Sequence, residues 1–503
     1  MHKKTKQNCY LQVSFTSKSV YLVKNKPFIA MRTLTTLTFV FLANFSALLL
    51  AQNGSWSSLG LGLDGPCYSI AMDSDGNVYV GGDFNLATTS LGFYAEAHYI
   101  ARWDGEAWYA LGMGLDGPVF DMVVDEEAGY LYVTGAFTTA YNGNGTFWTV
   151  NGIARWNLNL LKWEPLGNGL GGTNPTIGHA LSIGPDNKIY VGGEFTQAGG
   201  LTANYIAAWD GNSWSNLGIG LNDPVYDLSL SPDGKLYVGG DFTLAGGVQA
   251  WYIAIWDGTN WSPLSEPQPL VDGDLRALAV DGQNNLFVSG HLYLIGQIYL
   301  KRIVMWDGSQ WNDLGTGLNG ICYKIAIDQQ NNRVYVGGKF TDVNGSNLNN
   351  SLLHIAYWDG NNWNGLQNGL GSPDYISYCS DIFIAPSGEV YAGGYFFTAG
   401  GQVAYHIAKW TPQTVSTSET QTSTGELELF PQPASDRLHV QIDKSDESVQ
   451  LLVFDLQGQK LQEYSMPQNS TNFDLPLNGL NPGMYVLQVV TSKEALSQCF
   501  VKQ

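Results

Sequence analysis

The chain is short of charge, of cysteine and of long apolar runs. Only 14% of its 503 residues are charged, with 44 acidic residues against 24 basic ones, which does not fit a highly charged disordered chain. Seven of the bases, six lysines and Arg32, lie in residues 1–51, where there is no acid. Beyond that stretch 17 bases face 44 acids, a net charge of −27 against −20 for the whole sequence. Such a surface repels phosphate backbones and anionic lipid, which excludes nucleic-acid binding. The five cysteines form no CxxC spacing, so neither a structural zinc site nor a redox motif is supported. HExxH, GxSxG and P-loop motifs are absent as well.

The one substantial apolar run, Leu37 to Leu50, follows Met31-Arg32 and ends at Ala51-Gln52. A basic start, an apolar stretch and a small residue at the cut describe a secretory signal, and the stretch is short for a membrane span. Residues 1–51 are therefore expected to be a signal region with its true start at Met31, and the mature chain to have no transmembrane segment.

What the chain has in quantity is glycine (60 residues) and tryptophan (16 residues). Fourteen tryptophans fall into two columns. Trp103, Trp156, Trp209, Trp256, Trp306, Trp358 and Trp410 each close a phrase like Tyr99-Ile100-Ala101-Arg102-Trp103. Trp56, Trp108, Trp163, Trp214, Trp261, Trp311 and Trp363 each open one like Trp108-Tyr109-Ala110-Leu111-Gly112. The first column repeats at intervals of 53, 53, 47, 50, 52 and 52 residues, the period of stacked supersecondary units. Residues 222–261 show the unit. Alternation over Pro224 to Leu230 predicts a strand, and Pro232-Asp233-Gly234 a turn. Further strands are predicted over Lys235 to Phe242, Trp251 to Trp256 and from Trp261. Four antiparallel strands in seven copies predict an all-β fold, a seven-bladed β-propeller over residues 52–412. The lone first Trp56 phrase and the lone last Trp410 predict that the N-terminal strand completes the last blade. The second glycine of each doublet (Gly82, Gly135, Gly193, Gly240, Gly290, Gly338, Gly394) never varies, for which blade-to-blade packing is the expected reason. The first varies, to Thr134 and Ser289. With a glycine doublet ending the second strand and Trp in the third, residues 56–412 resemble kelch-like repeats.

Thr411 to Gly425 lacks apolar periodicity and reads as a Ser/Thr-rich linker, 413–425. Short alternating strands follow, predicting a small β-sandwich over 426–503. Phe430-Pro431-Gln432-Pro433, Val453-Phe454-Asp455-Leu456-Gln457-Gly458, Leu480-Asn481-Pro482-Gly483-Met484-Tyr485 and the terminal Phe500-Val501-Lys502 resemble the C-terminal sorting domain of type IX secretion substrates of Bacteroidetes. The resemblance implies the type IX machinery as partner, passage across the outer membrane, removal of the domain, and release or attachment at the cell surface.

Chemistry is sparse. His354 and His406 occupy the column of Tyr99, Tyr205 and Tyr252, while His98, His179, His291 and His439 are isolated. Asp73-Ser74-Asp75-Gly76-Asn77 matches a hairpin turn better than a calcium loop. Asp121, Asp227 and Asp381 share an innermost-strand column with Lys324; structural or solvated acids there are favoured over a paired-acid glycosidase. Cys67, Cys322 and Cys379 share an apolar column, which favours buried thiols, while an exported compartment permits a bridge between two of them. No catalytic residue, cofactor or metal is assigned. The second-to-third strand connections vary most and carry the two tryptophans outside the columns, Trp148 and Trp251, with Phe93, Tyr94, Phe147 and Tyr299. Aromatic loops on a rigid scaffold predict a binding module for a glycan or protein on the variable-loop face, with those residues as contacts. A polysaccharide-active hydrolase or lyase at the channel mouth is the alternative.

Overall fold

The computed structural model describes residues 54–264, 275–290, 294–295, 298–299, 302–343, 352–372, 376–412, 428–430, 434–442, 449–454, 460–468, 470–491 and 495–502. The expected signal region and linker lie outside them. The chain divides into two compact units, Met1–Gln413 and Thr414–Gln503.

Among the described residues the first unit contains seven four-stranded antiparallel sheets. Their first strands are Cys67–Met72, Val119–Asp125, Ile177–Ile183, Val225–Leu230, Leu275–Val280, Ile321–Asp328 and Tyr378–Ile384, and number the sheets 1 to 7. In sheet 4 the order continues through Leu236–Gly240, Ile253–Trp256 and Trp261–Pro263. Each first strand packs on the next, and Tyr378–Ile384 packs back on Cys67–Met72, so the sheets form a closed cycle. Sheet 7 takes its fourth strand from the start of the chain: Gly54–Ser58 pairs with Ile407–Pro412, Trp56 opposite Trp410. The expected closure is thus present.

The tryptophan columns are two halves of one device. In every sheet the third- and fourth-strand tryptophans face each other, with ring centroids 5.2–5.5 Å apart. The fourth-strand indole then donates its N–H to the preceding sheet: Trp108 to the Leu59 carbonyl (3.0 Å), Trp163 to Leu111 (2.9 Å), Trp214 to Leu166 (2.8 Å), Trp363 to Leu314 (2.9 Å) and Trp56 to Leu366 (2.8 Å). A buried indole needs such an acceptor, and the Trp-x-x-Leu-Gly phrase supplies one to the next copy.

The glycine doublets divide their work differently from the expectation. The invariant second glycine serves its own sheet: a Cβ on Gly82 would fall on the Pro66 carbonyl, and one on Gly135 on the Pro118 carbonyl. The first glycine makes the sheet-to-sheet contact. A Cβ on Gly81 would strike Val119 of the next sheet, on Gly192 Val225, on Gly239 Leu275, on Gly337 Cys379 and on Gly393 Cys67. The exceptions follow from this geometry. Where the first position is Thr134, the facing residue of sheet 3 is Gly178, whose Cβ would fall on Thr134 Oγ1. Where it is Ser289, it lies against Cys322, a small partner. At the Thr134–Gly178 seam the bulk is exchanged between the two sides, as close packing requires.

The variable connections of sheets 1 and 2 are short hairpins. Thr139–Tyr141 pairs with Phe147–Thr149 and with Gly114–Leu115 of the preceding connection. Leu86–Thr88 pairs likewise with Tyr94–Glu96 and Gly62–Leu63.

The second unit has two sheets, Glu428–Phe430 with Arg437–Gln441 and Asn472–Pro476, and Lys460–Met466 with Val449–Phe454, Gly483–Val490 and Ala495–Lys502. Leu438, Val440, Leu451, Val453, Leu475, Leu487 and Phe500 form one buried core.

Candidate functional site at the start of the first strands

Every first strand of the seven sheets carries a bulge at the same place, where its pairing with the second strand skips one residue. The skipped residues are Tyr68, Phe120, His179, Tyr226, Arg276, Tyr323 and Ser380. A bulge re-aims a side chain, and here it turns one per sheet toward its neighbours around the cycle. Tyr68 meets Phe120 (ring centroids 5.7 Å), Phe120 stacks on His179 (5.9 Å) and His179 meets Tyr226 (5.3 Å). The Arg276 guanidinium lies 4.4 Å from the centre of the Tyr226 ring. In sheet 7 Tyr378 takes the place of the short Ser380, meeting Tyr323 at 5.9 Å with the Tyr68 phenol beside it. The result is a collar of seven side chains around the centre of the cycle. It sits at the strand ends that carry the variable connections, because each bulge lies opposite the glycine doublet.

Polar groups of the second strands back the collar. His179 Nε2 lies 3.0 Å from Glu194 Oε1; a carboxylate can only accept, so this nitrogen carries the proton and Nδ1 keeps a lone pair. The His179 side chain is 21% exposed and that of Glu194 39%. Burial lowers the His179 pKa, against the pull of Glu194, so the ring is neutral at neutral pH. Tyr226 donates to Asp241 Oδ2 (2.8 Å), and burial together with that bond holds its phenol protonated.

One layer deeper lies the charged column seen in the sequence. Asp381 Oδ1 is 3.1 Å from Lys324 Nζ. Each carboxylate also accepts a backbone N–H from the next sheet: Asp381 from Ile70 (2.7 Å), Asp121 from Leu181 (2.7 Å) and Asp227 from Leu278 (2.8 Å). The acids are therefore inter-sheet clasps, as the structural reading has it. Burial raises the pKa of Asp121, and that of Asp227 to about 6, with Lys324 opposing both. Burial works against the Lys324 ammonium, but Asp381, Asp121 and Asp227 outweigh it and raise its pKa.

Of the aromatic residues singled out in the sequence, Phe93, Tyr94, Phe147 and Trp148 lie on hairpins of the same face, and Trp251 follows the hairpin that ends at Gln249. Tyr94 is 64% exposed, Phe147 62% and Trp148 48%, with Phe93 also exposed and Trp251 half-buried. Tyr141 and Phe147 meet at 6.2 Å. Tyr299 belongs to the strand Ile298–Tyr299. These hairpins and the collar are distinct sets of residues. The collar escaped the sequence reading, although its column (Tyr, Phe, His, Tyr, Arg, Tyr, Ser) is legible between the apolar and acidic ones.

The remaining candidates resolve into scaffold. Cys67, Cys322 and Cys379 are buried free thiols. Asp73 accepts from the amides of Asp75 and Asn77 and from Tyr79 Oη, a hairpin turn with its carboxylate spent. A cleft of about 480 Å³ between sheets 1 and 2, lined by Asp73, Asn77, Tyr79, Arg102 and Trp156, recurs between sheets 5 and 6 at about 250 Å³ with Asp281, Asn285, Phe287, Met305 and Trp358. A furrow that returns with the repeat belongs to the fold. Among the described residues no group of three or more His, Cys, Asp or Glu could hold a metal ion.

His354 and His406 are buried, at backbone φ of 63° and 67°. Tyr99, Tyr205, Tyr252 and Arg302 share that left-handed conformation, which aims each carbonyl of Tyr99, Tyr205, Tyr252, His354 and His406 at the second-glycine N–H of its sheet. Among the described residues neither His354 ring nitrogen finds a hydrogen-bond partner of ordinary geometry. Burial pushes its pKa down to about 4, and the Gly338 backbone offsets this only in part. The unfolded chain therefore takes up this proton first, and stability is lost as the pH falls from about 6.5 through about 4. We expect His354→Tyr to remove about 2–3 kcal/mol of that loss, against an opposite trend from Asp227, which protonates in the folded state below about 6. Urea titrations of both proteins between pH 7 and pH 4, taken as a difference, check this; parallel curves would refute it.

Comparison with known proteins agrees with this architecture. Residues 164–321 match the Rax2 C-terminal beta propeller domain. Residues 428–503 match the secretion system C-terminal sorting domain. The chain carries a β-propeller and a secretion sorting tail. The sorting domain implies handling by type IX secretion and an exported, secreted or cell-surface state. Among the described residues no helix is long and apolar enough to cross a membrane. A search of curated proteins gives no match. Similar solved structures include the extracellular domain of a hybrid two-component system from B. thetaiotaomicron, with 12% identity, a TM-score of 0.44 and 90% of this chain covered. The present chain spans 59% of that protein's length. A GH74 enzyme from Niastella koreensis has 15% identity and a TM-score of 0.36, covering 88% of this chain and 80% of that one. A gluconolactonase from Xanthomonas campestris has 15% identity and a TM-score of 0.33, covering 58% and 89%.

Proposed function

We propose that the protein is an exported, kelch-like, seven-bladed propeller that binds a glycan or a protein through its variable-connection face. The signal region and the C-terminal β-sandwich are removed on the way, and the propeller is released or attached at the cell surface. The observation that carries the reading is the exposure of Tyr94, Phe147 and Trp148 on hairpins hydrogen-bonded into the scaffold. Rigid, exposed aromatic rings on one face cost free energy in water unless a ligand covers them. Trp251 and Tyr299 are further proposed contacts of this binding face.

Two measurements test it. Deleting residues 428–503 should leave the propeller in the periplasm; surface delivery of the truncated chain would refute the export route. Phe147→Ala and Trp148→Ala should each weaken ligand binding by about 1–3 kcal/mol without changing the melting temperature, the size of a strong aromatic contact. Unchanged affinity would remove the hairpins from the binding surface.

A second reading, a polysaccharide hydrolase or lyase at the channel mouth, is favoured by one observation: a neutral histidine paired with a carboxylate, His179 with Glu194, in the collar. Cleavage of a polysaccharide that disappears in His179→Ala would establish it.

A further inference from the structure

We infer that the central collar is a binding subsite for an uncharged pyranose, the end or edge of a glycan chain approaching along the axis of the cycle. The inference rests on the proposed binding face and specifies where on it, and to what chemistry, the ligand binds.

Three observations lead there. The first is repetition with deviation. The bulge recurs in all seven sheets, yet its residue is different from copy to copy, unlike the tryptophans and second glycines that every sheet demands. A position freed from the scaffold's needs and still filled by rings in most sheets presents a continuous aromatic surface. Tyr68, Phe120, His179 and Tyr226 sit side by side at 5.3–5.9 Å. These rings are half-buried, and what they leave exposed offers apolar contact to the C–H groups of a sugar ring.

The second is the hydrogen-bonding inventory. His179 Nδ1 on a neutral ring accepts, Glu194 and Asp241 accept, the Tyr226 oxygen accepts because its proton is held by Asp241, and the phenols of Tyr68, Tyr323 and Tyr378 add both donors and acceptors. Hydroxyl groups, which do both, satisfy such a set better than a group that only donates or only accepts.

The third is charge. Around the collar Glu194 and Asp241 stand against Arg276, and beneath it Asp121, Asp227 and Asp381 surround Lys324, on a propeller surface far to the acidic side. An anionic polymer meets repulsion there. A cation finds the Tyr226 face already under the Arg276 guanidinium. An uncharged ligand pays neither penalty.

The test uses the full chain without its signal region and two sets of hexasaccharides, neutral (cello-, xylo- and manno-hexaose) and charged (hexagalacturonate and chitosan hexamer), in calorimetric titrations. At least one neutral hexasaccharide should bind, more tightly than either charged one. Tyr226→Ala and Phe120→Ala should weaken it about tenfold or more, while Trp148→Ala changes it less. Because a collar alanine could loosen the cycle, Tyr226→Phe serves as the second variant. It keeps the ring and removes the hydroxyl, and should lower affinity with an unchanged melting curve. Binding to the charged hexamers alone, or to none, overturns the collar inference. Neutral binding abolished by Trp148→Ala but indifferent to Tyr226 and Phe120 also overturns it, yet leaves the proposed binding face standing. If no hexasaccharide binds while a cell-surface protein is captured in a manner dependent on Phe147 and Trp148, the collar inference falls and the face reading is retained.

Discussion

Deleting residues 54–60 should unfold the first unit cooperatively at a far lower temperature than the parent. The deletion removes the fourth strand of sheet 7, with five paired residues from Gly54 opposite Pro412 to Ser58 opposite Ala408. It also removes Trp56, whose indole donates to Leu366 and packs at 5.5 Å on Trp410. Losing a buried tryptophan alone costs about 3–5 kcal/mol. The exposed edge of Ile407–Pro412 and the unclasped seam between sheets 6 and 7 add to that, against a whole-domain stability of about 5–15 kcal/mol. Deleting an equal length within residues 413–425 should leave the melting curve unchanged. Thermal melts and trypsin resistance of the two deletions, side by side, decide the matter. If the strand deletion melts with the parent, closure by the N-terminal strand contributes nothing to stability.

The second large effect is a rescue. Gly178→Val alone places its first carbon on Thr134 Oγ1, with the Gly152 carbonyl close behind, and should cost about 3 kcal/mol or more. Thr134→Gly alone empties the seam between sheets 2 and 3 and breaks a 2.7 Å bond from Thr134 Oγ1 to the Gly152 carbonyl, for a cost of about 1–2 kcal/mol. Together they recreate the glycine-against-valine seam of Gly81 and Val119. The double variant should be more stable than Gly178→Val, with a coupling of about 2 kcal/mol in urea denaturation. Strict additivity would show that the two positions do not share one space.

The same seam shows where sequence reading succeeds and where it stops. The invariance of the second glycine was visible, but not its cause. Only the register shift beside Cys67 and Ser69 shows that Gly82 lies over the carbonyl of its own sheet's first strand. The change of the first glycine to Thr134 is compensated by Gly178, which stands 44 positions away and meets it only in the folded cycle. Likewise the acidic column was legible as a column, while the three N–H groups that consume its carboxylates belong to neighbouring sheets.

The collar is the sharper lesson. Strict alternation assigns Phe120 and Asp121 to opposite faces of their strand, and His179 and Ala180 likewise. One inserted residue per strand breaks the period of two and brings a whole column to the centre. No propensity marks the insertion, because nothing in the strand's composition says which carbonyl its partner will skip. By contrast the hairpin aromatics Phe147 and Trp148 were legible, since they fall outside every periodic demand of the repeat.

The sequence by itself determined the sevenfold repeat, the four strands of each copy, the tryptophan columns, the strand that closes the cycle and the sorting tail. All of these are local or periodic patterns that every copy restates. The tertiary structure alone decided which sheet each glycine faces, what the buried acids hold and which side chains meet at the centre. Those depend on the bulge and on contacts between neighbouring copies, which pair residues about one repeat apart with no local signature.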